Sequence, residues 1–169
     1  MFIEKINIKE TSKADLRNVA SLWNNGEVMF YVGFPEGLGI TLDELEKNWL
    51  PWVINKPKRC HYSIYTEDEC YCGEGFYDVD EISGLSALDI KLLPSAQGKG
   101  IAYRSLKYVI KKAFLEGGAK AVYVDPHPEN KRAWVLYEKL GFKSKPRPPF
   151  LEEGETYLEI TYGEWLLDN

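Results

Sequence analysis

One junction restricts the fold of this chain more than any other feature. Leu85 to Leu93 reads as an extended segment. The chain then passes through Gln97-Gly-Lys-Gly-Ile-Ala102 into a run whose apolar positions, Ala102, Leu106, Val109, Ile110 and Ala113, recur at three-and-four spacing. That run stops at Gly117-Gly118, and a short apolar strand, Ala121 to Asp125, follows. Pro126 and Pro128 force a turn, after which Ala133, Leu136, Tyr137 and Leu140 mark a second helical face ending at Gly141. A strand–helix–strand–helix unit of this kind needs a sheet with helices packed on it, which points to an α/β or α+β layered fold.

The segments upstream fit such a sheet. Phe2, Ile6 and Ile8 alternate with Asn7 and Lys9, predicting a strand, and Thr11 or Ser12 supplies an N-cap for a helix carrying Leu16, Val19, Ala20 and Trp23. Thr41-Leu-Asp-Glu44 has capping-box spacing and opens a helix over about 42–54, with Leu42, Leu45, Trp49 and Trp52 on one face and a kink at Pro51. His61 to Tyr65, Tyr71 to Asp78 and Leu85 to Leu93 form an antiparallel meander, and Thr156 to Leu166 reads as a last strand. With 169 residues, 44% hydrophobic and 28% charged, the chain is expected to form one domain over 1–169, neither disordered nor membrane-spanning.

The junction also carries chemistry. The first N–H groups of a helix lack intrahelical partners, so a glycine turn leading into one is an anion site. Gly98 and Gly100 let the backbone approach phosphate oxygens, and Lys99 adds a mobile charge. Neither the P-loop spacing nor Gly-x-Gly-x-x-Gly is present, and a lone Gly-x-Gly is equally a tight turn.

Gln97-Gly-Lys-Gly-Ile-Ala102 resembles the Gln/Arg-x-x-Gly-x-Gly/Ala signature of the GNAT superfamily of N-acetyltransferases, and Val124-Asp-Pro-His-Pro-Glu-Asn-Lys-Arg-Ala133 with Leu136-Tyr-Glu-Lys-Leu-Gly-Phe142 resembles its second motif. The similarity is specific over residues 86–143. It implies a central, mixed, mostly antiparallel sheet of six to seven strands with about four helices, its fourth and fifth strands splayed to admit acetyl-CoA. By the same resemblance the backbone of Gln97, Gly98, Lys99, Gly100, Ile101 and Ala102 holds the pyrophosphate. Leu92 and Leu93 pair with the pantetheine arm, and Asn130, beside Ala133, meets that arm. Asn130 is also explained as a helix cap. Tyr137 corresponds to the family's general acid toward the departing thiolate, with core packing as its ordinary alternative. The base is Asp89, Asp125 or water. Asp89 alternates with Leu88, Ile90 and Leu92 and so points away from them.

These features imply acetyl transfer to a primary amine by direct attack in a ternary complex, since no covalent nucleophile is placed by the sequence. A non-catalytic acyl-CoA-binding domain is the alternative from another class. The acceptor is a small amine such as an aminoglycoside or polyamine, or a peptide α-amine, because Trp23-Asn-Asn25 with Val28 is similar to ribosomal-protein N-terminal acetyltransferases. A net charge of −5 argues against nucleic acid as a partner. The acidic Glu67-Asp-Glu69, Asp78, Asp80 and Glu81 suit a polycation or are solvated turns, and the aromatics from Trp23 to Trp52 line a pocket or fill the core. Cys60, Cys70 and Cys72 have no metal spacing, with Cys70 and Cys72 expected on one face. Three cysteines and no apolar leader suggest a reduced cytoplasmic protein. Trp165-Leu-Leu167 on the final strand is a candidate homodimer edge.

Overall fold

The computed structural model describes residues 5–169. Phe2, part of the expected first strand, lies outside them. Seven strands form one sheet in the order β1-β2-β3-β4-β5-β7-β6. They are β1 (Ile6–Glu10), β2 (Arg59–Thr66), β3 (Tyr71–Val79), β4 (Leu85–Leu92), β5 (Ala121–Val124), β6 (Lys143–Ser144) and β7 (Leu158–Thr161). Every neighbouring pair is antiparallel except β4 and β5, which run parallel. The expected meander is β2–β3–β4.

The helices divide between the two faces. On one face lie α5 (Ile101–Leu115) and α6 (Lys131–Lys139), which share a core of Leu106, Val109, Ile110 and Tyr137 with Tyr77 and Leu88 of the sheet. Gly75 makes this approach possible, because a Cβ there would stand 2.8 Å from Val109 Cγ2. On the other face α1 (Leu16–Trp23) packs Leu16 and Val19 against Leu45, Leu50 and Val53. A short α2 (Gly26–Met29) follows α1.

The segment from 42 to 53 shows how one proline reshapes a helix. Thr41 and Glu44 form the expected capping box, with Glu44 N–H donating to Thr41 Oγ1 (3.2 Å) and Thr41 N–H to Glu44 Oε2 (2.8 Å). After α3 (Leu42–Glu44) the turn widens to a π-helix over Leu45–Trp49, with Leu50 N–H donating to Leu45 C=O, before α4 (Leu50–Val53). Pro51 has no N–H to continue the ladder and its ring crowds the carbonyl four residues back, so the wider turn absorbs it. The extra residue rotates later positions by about 100°. Leu50 and Val53 therefore face the core, and Trp52, expected there, is exposed under the guanidinium of Arg59.

Other expectations change in detail. Of the two expected caps, Ser12 starts the first helical turn, its N–H donating to Asp15 Oδ2 at 2.8 Å, and Thr11 is buried. The final segment is strand only to Thr161. Thr161 Oγ1 then accepts from Glu164 N–H (3.2 Å) and opens α7 (Tyr162–Leu167), so Trp165 packs on Phe114 and not along a strand edge. With α7 and the short segments before β2, the chain has more helices than the four expected. Cys70 is exposed in the turn before β3 whereas Cys72 is buried, so the two do not share a face.

Candidate active site

The sheet opens at its one parallel pairing. β4 and β5 meet only at Leu85–Ala121, Ser86–Val122 and Ala87–Tyr123, because Asp125-Pro126 turns β5 away while β4 runs on to Leu92. Leu93 N–H donates to Cys72 C=O (2.8 Å), and alternation along the β3–β4 ladder then directs the peptide groups of Leu92 and Ile90 to the open side. Of the two residues expected to offer backbone there, Leu92 faces the opening with its C=O accepting from Gln97 Nε2 (3.2 Å), whereas the carbonyl of Leu93 accepts from Ala96 N–H (2.9 Å).

At the end of β4 a 3-10 turn, Pro94–Ala96, delivers the glycine turn. Gln97 N–H is taken by Pro94 C=O (3.2 Å). Gly98 and Gly100 sit at φ +75° and +74°, a region disfavoured for other residues, and a Cβ built on either meets nothing within 4 Å. Gly100 caps α5 with no side-chain hydrogen bond. The N–H groups of Gly100, Ile101, Ala102 and Tyr103 therefore lack intrahelical partners at the positive end of a long helix, next to exposed Lys99. Arg132 Nη1 donates to Gln97 Oε1 (3.0 Å), tying this turn to α6.

Asn130 caps α6 by accepting from Ala133 N–H at 3.3 Å, which places half-buried Ala133 and buried Tyr137 on its inner side. The Tyr137 ring packs edge-on to Phe142, and its hydroxyl has no hydrogen-bond partner among the described residues. Burial raises its pKa above the ordinary tyrosine value, and the charges of Asp89 and Asp125 raise it further. The phenol therefore keeps its proton and lies within electrostatic reach of both carboxylates. Asp89 Oδ1 accepts from Ile90 N–H (2.9 Å), and Oδ2 is ion-paired with Lys91. Asp125 is largely exposed and lies 3.6 Å from Arg147 Nη2.

The sequence reading missed a buried polar row that leads to Asp89. Register places Ser63 of β2, Glu74 of β3 and Lys91 of β4 side by side. Glu74 is 2% exposed. It accepts from Trp23 Nε1 (2.9 Å) and from His61 Nε2 (2.8 Å), and Lys91 Nζ lies 3.5 Å from its other oxygen. Burial drives its pKa up, but His61, Lys91 and Trp23 outweigh that and hold it down at about 2. A carboxylate only accepts, so His61 Nε2 is the donor. Thr11 Oγ1 lies 2.7 Å from His61 Nδ1 and 2.7 Å from Ser63 Oγ, which extends the row of hydrogen bonds into β2. One signal was present in the sequence: aligning the meander puts Glu74 opposite Lys91.

The acidic turns are committed locally. Asp78 pairs with Arg59 (3.1 Å), Asp80 accepts from Ser83 N–H (2.7 Å) and Glu67 meets Lys5 (3.4 Å). The aromatics divide. Trp23 and Trp49 pack around His61, whereas Phe30, Tyr31 and Phe34 are exposed, with Tyr31 against His127 at 5.3 Å.

A spermidine N-acetyltransferase from Vibrio cholerae, solved with CoA and spermine, has the same fold at TM-score 0.81 and 22% identity, over 95% of this chain and 98% of that one. An aminoglycoside acetyltransferase solved with coenzyme A aligns at TM-score 0.77 and 19% identity, over 96% and 98% of the two chains. The model of the acetyltransferase (GNAT) domain family matches residues 5–143, from before β1 through the glycine turn and α6 to the first residue of β6. With both motifs in their expected places and a match over most of its length, this chain belongs to the GNAT acetyltransferase family.

Proposed function

We propose that the protein transfers the acetyl group of acetyl-CoA to a primary amine of a small polycationic acceptor, by direct attack in a ternary complex. The observation that carries this reading is the glycine turn at the N-terminus of α5, set beside the opening where β4 and β5 part, with Tyr137 of α6 buried behind Asn130 and Ala133. The glycine turn and the N-terminus of α5 suit the pyrophosphate, with Gly98 to Ala102 as the holding residues and Gln97, its N–H and side chain already bonded, shaping the turn. The peptide edge of Ile90 and Leu92 suits the pantetheine amides, and Asn130 and Ala133 border it.

Acetyl-CoA supplies an activated thioester. The chain's residues then have three tasks. Asp89 receives the acceptor's ammonium at the opening and takes its proton on a carboxylate oxygen, freeing the nitrogen lone pair. Tyr137 holds a proton on its hydroxyl for the leaving sulfur. The flanking strands keep acceptor and thioester in one orientation. A polyamine or aminoglycoside acceptor is supported by the structural relatives, which are named as spermidine and aminoglycoside acetyltransferases. The cysteines are thiols, and no helix among the described residues is long and apolar enough to cross a membrane, which supports a cytoplasmic setting.

The test is CoA release from acetyl-CoA in the presence of spermidine, aminoglycosides and peptides with free N-termini. Release with the polycations and not with the peptides is expected. Release with peptides alone overturns the acceptor class, and an Asp89→Asn variant that keeps full turnover and its acid limb overturns Asp89 as the base.

A further inference from the structure

Lys91 is the unusual member of the row behind Asp89. It sits on the β4 face that also carries Asp89, its side chain is 14% exposed, and it lies between an opening that must accept a cation and a carboxylate that never reaches solvent. A lysine beside a docking site for an ammonium repels its own ligand unless the charge is cancelled. Glu74 cancels it from the buried side, and Glu74 is in turn fixed by His61, from β2, and by Trp23, from α1. Burying a carboxylate is costly, and an apolar pair at positions 74 and 91 would pack the same face without that cost. The ion row therefore does something that packing does not require.

We propose that Lys91 is a positioning residue for the acceptor: backed by Glu74, it holds the Asp89 carboxylate in one orientation at the opening, so that the three groups together present a single negative charge to the amine. This rests on the reading of Asp89 as the acceptor's base. The ionisable groups around Asp89 are Lys91 on its own strand, Glu74 on β3 with His61 behind it on β2, Tyr137 from α6, and Asp125 at the end of β5. Lys91→Met leaves the Asp89 carboxylate without the cation that holds it, and Glu74→Gln leaves Lys91 without the anion that balances it. The two losses change the charge presented to the amine in opposite directions.

The experiment is the pH dependence of kcat/KM for spermidine in the wild-type protein and in Lys91→Met, Lys91→Arg, Glu74→Gln and Asp89→Asn variants, with KM for acetyl-CoA measured alongside. The acceptor's own ionisation is common to all five proteins. The acid limb is expected to move up in Lys91→Met, to return toward wild type in Lys91→Arg and to move down in Glu74→Gln. KM for acetyl-CoA is expected to stay within about twofold of wild type throughout, because none of these side chains touches the glycine turn. General structural damage lowers rates but does not shift one limb in two directions. If Asp89→Asn removes the limb while Lys91→Met and Glu74→Gln leave it in place, the positioning role is wrong and the base survives. If the limb persists in Asp89→Asn, both fall.

Discussion

Replacing Tyr137 with phenylalanine separates catalysis from packing. The ring is buried, 7% exposed, and packs among Leu88, Val124 and Phe142, all contacts that phenylalanine keeps. The hydroxyl that is lost has no hydrogen bond among the described residues, so no partner is left unsatisfied. The change in stability should therefore stay within about 1 kcal/mol, because leaving a polar group without a partner is the usual source of larger losses. The catalytic effect should be larger. General acids contribute about 10²- to 10⁴-fold, and a thiolate is a good enough leaving group to put this case near the lower end. A fall in kcat of about 100-fold corresponds to about 2.7 kcal/mol of transition-state stabilisation. Steady-state CoA release under saturating acetyl-CoA and amine measures the loss, and urea denaturation measures stability on the same preparation. The raised phenol pKa adds a second expectation: the wild-type enzyme should hold its rate past pH 10, where an ordinary tyrosine would have lost half its protons. A Tyr137→Phe enzyme with wild-type kcat would refute the general-acid reasoning and leave Tyr137 as a core residue.

Three further outcomes follow from the same geometry. Gly100→Ala places a Cβ at φ +74° in open space, so it should cost about 1 kcal/mol of backbone strain in denaturation while raising KM for acetyl-CoA more than it lowers kcat. Thr41→Ala removes one half of an exposed capping box and should cost about 1 kcal/mol by urea titration, with kinetics unchanged. Glu74 and Glu164 titrate at about 2 in the folded chain against 4.5 when unperturbed. Their stabilising effect is therefore complete above pH 4.5 and lost as pH falls from there toward 2, which denaturation midpoints across that window should show.

What the sequence revealed, it revealed through local patterns. Gln97 to Ala102 is contiguous, its glycines have one backbone reason to be there, and the helix it opens has an unbroken period, so both turn and helix were legible. The Thr41–Glu44 box was equally local. What failed depended on distance or on cumulative geometry. A regular helix would keep Trp52 on one face with Leu42 and Leu45, and only the π turn forced by Pro51 moves Val53 into its place. The last segment, Thr156 to Leu166, carries aromatic and aliphatic residues suited to a strand, yet the Thr161 cap turns its second half into a helix that covers Phe114. Glu74 was passed over because nothing next to it explains a carboxylate. Its partners come from α1, β2 and β4, and they meet only once the sheet has formed.

The brief contact between β4 and β5 bears on more than the cleft. Among the described residues, three paired positions of β4 and β5, with Lys120 N–H donating to Gly84 C=O just before them, join the four-stranded part of the sheet to the β5-β7-β6 part, so a narrow seam crosses the middle of the molecule, spanned by α5. A cofactor arm lying along Ile90 and Leu92 would act as a suture. Amides on both sides of the opening would gain protection from hydrogen exchange together, and two regions that open separately would begin to unfold as one. On the proposed placement of the arm, the co-substrate would also be a fastening, and how tightly it binds would set how far the halves of the sheet share a common stability.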